Sequence, residues 1–311
     1  MTRTLTTRDR WAALALPLFR VYLRHFPIRV GKMWAWNAVV HPYLAWRPLP
    51  VVSTTRDGAR FPGRLYTPLH RFLYFFGVFE PAISAFMREY LRPGDVAIDV
   101  GANIGVHTTL LSRRVGPAGR VHAIEASPSI FAALRDNLTR NGAANVVTHH
   151  MAVLDAPGTV TVFLHDMSND GGTTVVTTVA ERRRAAAEAV VEARPLDQIV
   201  PAEDLRRTRL IKIDVEGAEW LVAQGMAAAL PALPPDCAII MEVSPRALEN
   251  FGASVAALVA IFTAHGFRAL VFPLTYTPER HLDRPLPPPR PFGGVDFDIA
   301  DLLFIRGDGP R

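Results

Sequence analysis

Two acidic residues, each at the end of an apolar segment, could bind one ligand between them. Asp99 follows the apolar residues 96–98, and Glu125 ends the segment 120–125. Glycines follow Asp99, a pattern typical of the strand–turn–helix corner of a doubly wound α/β sheet. At that sheet edge Glu125 could accept hydrogen bonds from both hydroxyls of a ribose. The alternative is that Asp99 only caps the next helix and that Glu125 is a solvated strand end.

The turn after Asp99 favours a ligand with an amino acid end over a dinucleotide or a nucleoside triphosphate. Its glycines, Gly101 and Gly105, are separated by Ala102, Asn103 and an isoleucine, so the middle glycine of G-x-G-x-x-G is missing. No Lys-Ser/Thr pair follows, which excludes a phosphate loop of the NTPase kind. An ammonium group needs carboxylate and carbonyl acceptors, which this turn can offer. The glycines would let the backbone pass close under such a ligand.

A second polar cluster ends a later apolar segment, residues 209–214. Alternation along a strand puts Lys212 and Asp214 on the same side, and a buried lysine needs a partner, which Asp214 or Glu216 could supply. Asp214 is the first candidate for a catalytic base because strand ends face the ligand in open α/β sheets. His107 is the second, although a histidine in a first helical turn more often packs or caps. Lys212 is the third, if burial lowers its pKa.

Four stretches together resemble the FkbM family of methyltransferases that depend on S-adenosylmethionine (SAM). They are Asp-Val-Gly-Ala-Asn-Ile-Gly at 99–105, Glu-Ala-Ser-Pro at 125–128, Asn137 with Asn141 and Gly142, and Ile-Lys-Ile-Asp-Val-Glu-Gly-Ala-Glu at 211–219. The resemblance extends over about residues 74–306, and the last stretch is its most specific part. The first motif alone indicates only a methyltransferase-like fold.

The resemblance implies that SAM is the cofactor and that the chain O-methylates a hydroxyl of a natural product, a sugar or a lipid. Met151 and Ala152 end the third predicted strand, where methyltransferase folds generally place a main-chain contact to adenine. Motifs and resemblance together predict nine cofactor contacts: Asp99, Gly101, Ala102, Asn103, Gly105, Glu125, Ala126, Met151 and Ala152.

Three further residues are candidates for contacts to a small-molecule acceptor: Asn169, Glu216 and Glu242. Asn169 lies beside two glycines in a predicted turn, and such an asparagine more often has a purely structural role. Glu216 precedes a predicted helix, whose N-terminal dipole already favours acids. Glu242 is a polar residue in an apolar strand. The histidines and acids lack a metal-ligand spacing such as H-E-x-x-H, so we predict no bound metal.

The resemblance and the order of apolar segments predict an α/β fold with a Rossmann-like class I methyltransferase sheet. The seven strands, the last one antiparallel, lie at 96–99, 120–125, 146–153, 209–214, 237–243, 267–272 and 299–306. Extra strands at 160–164, 173–179 and 189–194 leave from the ligand edge, so we expect them to form a wall or partial lid over the substrate. A helical and hairpin segment precedes the sheet, which gives predicted domains at 1–50, 51–80 and 81–311.

Composition places the positive charge outside the predicted catalytic domain. The 49% hydrophobic and 20% charged content is that of a folded globular protein, and a single cysteine excludes a disulfide framework. The net charge is +5, but residues 1–72 hold 12 lysines and arginines against two acids, and the remainder holds 22 basic and 27 acidic residues. We expect a cytoplasmic protein without a nucleic-acid partner.

The N-terminal segment carries four of the five tryptophans. Its apolar run, residues 11–19, is too short to span a bilayer and contains Pro17. Trp11, Leu14, Leu18 and Tyr22 share one helical face. We expect an accessory helical layer packed on the main domain, and the alternative is a helix that lies in a membrane interface.

Two other function classes stay open at this point. One is a membrane-docking or scaffold protein that keeps the fold without catalysis, although the intact acidic and glycine positions argue against it. The other is a nicotinamide oxidoreductase, which the missing middle glycine disfavours.

Overall fold

The computed structural model describes residues 7–26, 30–164, 172–272, 277–282 and 286–307. These residues form two compact units. The first takes its described residues from 1–81 and 275–286, and the second takes them from 82–166, 171–274 and 287–311. Among the described helices, none combines the length and the hydropathy needed to cross a bilayer.

The chain alternates helices and strands over most of its length. The α-helices are α1 (Thr7–His25), α2 (Lys32–Ala35), α3 (Pro68–Phe76), α4 (Pro81–Tyr90), α5 (Val106–Val115), α6 (Pro128–Arg140), α7 (Thr177–Arg183), α8 (Leu196–Ile199), α9 (Ala202–Leu205), α10 (Glu219–Met226), α11 (Pro245–Glu249), α12 (Val255–Thr263) and α13 (Pro278–Leu282). A π-helix covers Trp36–Leu44, and a 3₁₀-helix covers Leu230–Ala232. The strands are β1 (Pro50–Thr54), β2 (Arg60–Arg64), β3 (Val96–Val100), β4 (Arg120–Glu125), β5 (Val146–His150), β6 (Ala152–Val153), β7 (Gly158–Leu164), β8 (Thr173–Thr174), β9 (Ala186–Arg194), β10 (Thr208–Ile213), β11 (Ala238–Val243), β12 (Arg268–Val271), β13 (Arg290–Pro291) and β14 (Ala300–Ile305).

The main sheet of the second unit has the predicted Rossmann-like order. Its strands run β13-β12-β14-β11-β10-β3-β4-β5. Neighbours from β5 to β11 pair in parallel, and β14 pairs antiparallel with β11 and β12. The class I methyltransferase arrangement with an antiparallel last strand is therefore confirmed. A two-residue edge strand, β13, is added to it.

The main sheet is apolar on both faces, which is why its central strands read as nearly continuous hydrophobic runs. Ile98 and Ile211 join the core on one face, and Ala97 and Leu210 join the core on the other. On the second face the alternation continues to Asp99, which lies in register beside Lys212 of β10. The polar groups therefore appear where the strands reach their carboxyl ends.

The third predicted strand divides at Met151. β5 belongs to the main sheet, whereas β6 pairs with β9 in a separate sheet of order β6-β9-β7-β8. Because of this break, Met151 and Ala152 do not pair with a strand of the main sheet. The break places them at the carboxyl edge of the main sheet.

The predicted strand at 173–179 is wrong beyond Thr174. Only Thr173–Thr174 is extended, and α7 begins at Thr177. The β-branched threonines and valines favour a strand by propensity alone. Val176 and Val179, however, are three residues apart and are buried together with Ala218. Burial of one face in the folded chain therefore overrides the local preference.

The first unit contains α1, α2, α3, the π-helix, the hairpin of β1 and β2, and α13. β1 and β2 pair antiparallel. Several of its basic side chains are used internally: the Lys32 Nζ donates to the Leu23 carbonyl at 2.9 Å, and the Arg71 guanidinium lies 4.2 Å from the centroid of the Trp46 ring. The positive charge of this unit is therefore only partly directed to solvent.

Candidate active site

A cavity opens in the second unit at the carboxyl ends of β3, β4 and β10. Six of its wall residues are among the predicted cofactor contacts: Gly101, Asn103, Glu125, Ala126, Met151 and Ala152. Asp214 and Glu216 line it as well, and Ile130, Val153 and Val222 supply apolar wall. The structure therefore brings together strand ends that are far apart in the sequence.

Glu125 is held by the main chain of two loops. Its Oε2 accepts from the Asn103 N–H and its Oε1 from the Ser127 N–H, both at 2.9 Å. Burial raises the pKa of Glu125 to about 7, against the opposing effect of these N–H donors. Each oxygen of an ionised carboxylate has a second lone pair. Glu125 can therefore still accept two hydrogen bonds from a diol in the cavity.

The two loop glycines are required by the protein's own packing. Gly101 has φ +77° and Gly105 has φ +88°, the left-handed region that favours glycine. A Cβ at Gly101 would collide with the main-chain oxygen of Asp214, and one at Gly105 would lie 2.7 Å from Leu134 Cδ1. The chain's own packing is therefore sufficient to require glycine at both positions. That the glycines also let a ligand approach the backbone stays a prediction.

Asp99 lies beneath the cavity. It is not among the described residues that form the cavity wall. Its Oδ2 accepts from the Thr108 hydroxyl at 2.6 Å, and its Oδ1 has no hydrogen-bond partner among the described residues. Burial raises the pKa of Asp99, and the Lys212 ammonium opposes that rise. Thr108 was not predicted, and a threonine one helical turn after a glycine loop gives no clear sequence signal.

Three more predicted site residues are outside the wall formed by the described residues. Ala102 and Gly105 support the loop from behind. His107 is buried in the first turn of α5.

Lys212 and Asp214 form the predicted pair. The Lys212 Nζ donates to Asp214 Oδ2 at 2.9 Å, and Lys212 is buried. Asp301 of β14 also belongs to this polar floor. Burial raises the pKa of Asp301 to about 7, and the nearby Lys212 ammonium opposes that rise. Sequence reasoning missed Asp301. Its signal was an acid inside a strand that is otherwise apolar.

Glu216 connects the cavity to a second cleft. It has φ +53°, a conformation that costs a non-glycine residue energy and is found at functional sites more often than elsewhere. Its Oε2 accepts from Arg183 at 2.7 Å. Burial raises the pKa of Glu216, and the neighbouring Asp214 raises it further.

The second cleft, which we call the arginine cleft, encloses about 320 Å³, within the size range of small-molecule sites. Its polar wall residues are Arg182, Arg183, Glu216, Glu219, Glu242, Ser244, Arg246 and Asn250. Glu242 therefore lies where the sequence placed it, near the sheet edge. Asn169 falls outside the residues that the structure describes.

Glu219 has a structural position at the start of α10. Its Oε1 accepts from the Gly217 N–H at 3.0 Å, and its Oε2 has no hydrogen-bond partner among the described residues. Burial raises the pKa of Glu219 to about 7. The ionised form therefore destabilises the fold, because the unfolded chain ionises this group at its lower, ordinary pKa.

A Glu219→Gln variant is therefore expected to be more stable than the wild type above about pH 7, by about 3 kcal/mol. The gain should disappear toward about pH 5, where the wild-type carboxyl is protonated in the folded state. Urea unfolding at a series of pH values measures the difference. Glu203→Gln, at an exposed glutamate, is the matched control and should show no such trend. A Glu219→Gln gain that does not depend on pH would contradict this explanation.

Comparisons with known proteins show which family the chain is similar to. A family model described as the methyltransferase FkbM domain matches residues 99–269. The hexuronic acid methyltransferase AglP of Haloferax volcanii is 26% identical over 160 residues, which cover 50% of this chain and 59% of that protein. The 31-O-demethyl-FK506 methyltransferase FkbM of Streptomyces tacrolimicus is 48% identical over 68 residues, 22% of this chain and 25% of that protein. Among solved structures, Aeropyrum pernix fibrillarin with bound SAM is similar over 72% of this chain and 73% of that chain, with 13% identity and a TM-score of 0.39.

The chain thus matches a little over half of one curated relative and a quarter of the other. The family model, in contrast, runs over more than half of the 311 residues, and its range includes Asp99, Glu125, Asp214 and Glu242. The chain belongs to the FkbM family of SAM-dependent methyltransferases.

Proposed function

We propose that this chain transfers the methyl group of SAM to a hydroxyl of a small acidic molecule, with Asp214 as the general base. The observation that carries the proposal is the position of Asp214. It lines the cavity that also contains Glu125, and its neighbour Glu216 lines both that cavity and the arginine cleft. Donor and acceptor could therefore meet at this carboxylate.

The lining of the cavity supports SAM as its ligand. Glu125 can accept from the two ribose hydroxyls, and Met151 with Ile130 and Val222 offers apolar surface for an adenine ring. When bound, SAM supplies an electrophilic methyl group. The protein's own contribution is to hold that group and the acceptor within reach of each other and to exclude water.

Asp214 is proposed to take the proton of the acceptor hydroxyl, because a neutral alcohol is a poor nucleophile. The bond from Lys212 fixes one carboxylate oxygen, Oδ2, and leaves Oδ1 for the acceptor. Lys212 lies among carboxylates, which favour its charged form. We therefore assign it to positioning Asp214 instead of to proton abstraction.

The arginine cleft supports an acceptor that carries a carboxylate or phosphate. Arg183 is neutralised by Glu216, and the wall also contains Glu219, which is buried, and Glu242, which is half-buried. Arg182 and Arg246 are exposed at the same cleft. A guanidinium binds a planar carboxylate through two parallel hydrogen bonds. The name of the relative from Haloferax volcanii, a hexuronic acid methyltransferase, supports an acidic sugar as one such acceptor.

Incubation with SAM and a panel of neutral and acidic sugars tests the proposal. Mass spectrometry should detect a methyl ether on an acidic member together with S-adenosylhomocysteine (SAH). A methyl ester in place of an ether would contradict the choice of a hydroxyl. Binding of SAM without methylation of any hydroxylated compound in the panel or in a metabolite extract would favour a catalytically inactive scaffold.

An Arg246→Ala variant is expected to raise the KM for an acidic acceptor by about tenfold or more, because one charged hydrogen-bond pair is lost. Affinity for SAH should stay the same, since Arg246 is not in the wall of the first cavity. Steady-state kinetics and calorimetry measure the two quantities. Arg206→Ala, at an exposed arginine of the same unit, is the matched control. Equal effects of both variants would show that the cleft does not select for the anion.

A further inference from the structure

Helix α1 carries apolar side chains on two opposite faces. Its inner face, with Ala12, Leu16 and Leu23, is buried in the core of the first unit. Its outer face carries four large apolar residues with most of their surface in solvent: Trp11 (70% exposed), Leu14 (68%), Leu18 (73%) and Val21 (59%). The inner face is sufficient to hold the helix on its unit, so the fold does not explain the outer one.

The outer residues form one continuous stripe. Their spacing of three, four and three residues places them one above the other on a helix. On an ordinary surface helix this stripe would be charged or polar. A contiguous exposed apolar patch on a folded protein marks an interaction site more often than single exposed residues do.

The segment that follows α1 also exposes apolar side chains, and most of them are aromatic. Phe26, Val30, Trp34, Tyr43 and Trp46 all have about half or more of their surface exposed. Tryptophan and tyrosine are enriched where a protein meets the boundary between lipid tails and headgroups, because their rings are apolar with a polar edge. Tryptophan is enriched at protein interfaces as well, so the charge of the unit decides between the two kinds of partner.

The net positive charge of the first unit indicates that the surface it binds is negatively charged. Residues 1–72 carry 12 basic against two acidic residues. Lys32 and Arg71 are buried in internal contacts, but the hairpin still exposes Arg56, Arg60 and Arg64. Basic residues beside an amphipathic helix are attracted to anionic lipid headgroups.

We propose that the outer face of α1 docks onto an anionic lipid bilayer and lies in its interface. The four stripe residues would enter the headgroup boundary, and the basic residues of the unit would pair with lipid phosphates. This attachment is peripheral and goes beyond the methyl transfer proposed above. It would hold the chain at a membrane surface, where an acceptor can be presented.

Vesicle sedimentation of the full chain tests this proposal. The protein is mixed with vesicles of phosphatidylcholine alone and with vesicles that also contain phosphatidylglycerol. We expect binding to the anionic vesicles, weaker binding to the neutral ones, and release from the anionic vesicles by high salt. Leu18→Glu and, separately, Trp11→Ala should weaken the binding by about tenfold or more, the loss expected for one large apolar side chain.

Val190→Glu is the matched control for Leu18→Glu. Val190 is 67% exposed and lies on β9 in the second unit, and its replacement changes the net charge by the same amount. It should bind vesicles like the wild type. All variants should keep wild-type circular dichroism and affinity for SAH, which excludes unfolding as the cause.

Three results would overturn the proposal. The first is sedimentation with neither type of vesicle. The second is equal loss of binding in Leu18→Glu and Val190→Glu, since the net charge alone would then explain it. The third is a dimer of the wild type in light scattering that Leu18→Glu converts to monomers in the absence of lipid, because the stripe would then bind a second copy of the chain.

Discussion

An Asp214→Asn variant is expected to turn over about 100- to 10,000-fold more slowly than the wild type, the range that general-base catalysis contributes. The amide has nearly the shape of the carboxylate but cannot take the proton of the acceptor. The close approach of Gly101 to Asp214 involves the main-chain oxygen of Asp214 and not its carboxylate. Affinity for SAH should therefore stay close to the wild-type value.

Single-turnover kinetics with an accepted acidic acceptor measure this effect. Asp155→Asn, at an exposed aspartate, is the matched control and should leave the rate unchanged. A fully active Asp214→Asn would exclude Asp214 as the base. A parallel loss of SAH affinity and rate would instead show that the Lys212–Asp214 pair holds the loop and has no separate role in proton transfer.

A Glu125→Gln variant is expected to bind SAH about 100-fold more weakly, because one hydrogen bond to a charged acceptor is lost and the other is made to a neutral amide. The physical reason is specific to this site. Glu125 accepts from two main-chain N–H groups, of Asn103 and Ser127. The NH₂ group of a glutamine would face one of these donors, and it could not accept from a hydroxyl on that side.

Isothermal titration calorimetry measures the affinity, and Glu203→Gln again serves as the matched control. Circular dichroism should show that the fold is kept, because removal of a buried ionisable group with a raised pKa also removes a cost of folding. Unchanged SAH binding by Glu125→Gln would mean that the ribose lies elsewhere and that the proposed orientation of the ligand is wrong.

Local sequence signals were sufficient to predict the location of a residue where that location follows from its place on a strand. Glu125 and Asp214 end apolar strands, and parallel strands end at one sheet edge, so both reach the same cavity. A buried lysine needs a partner, and the sequence offered Asp214 or Glu216; the structure shows the bond to Asp214. The seven-strand order followed from the resemblance and from the spacing of apolar segments.

Contacts between segments that are far apart in the sequence could not be predicted from local signals. Arg183 reaches Glu216 only because residues 177–183 form a helix where propensity favours a strand. Arg246 and Asp301 enter the site from elements that carry no motif. The location of Asp99 beneath the loop depends on its bond to Thr108. The sequence also could not show which face of α1 is exposed, because both faces of this helix are apolar.

The most direct test of the central claim is a crystal structure of the chain with bound SAH. The claim is that the cavity between the glycine loop, Glu125 and Asp214 holds the methyl donor. We predict that both ribose hydroxyls lie within hydrogen-bond distance of the Glu125 carboxylate, with the sulfur on the side of Asp214. SAH bound outside this cavity, or with its ribose away from Glu125, would contradict the account.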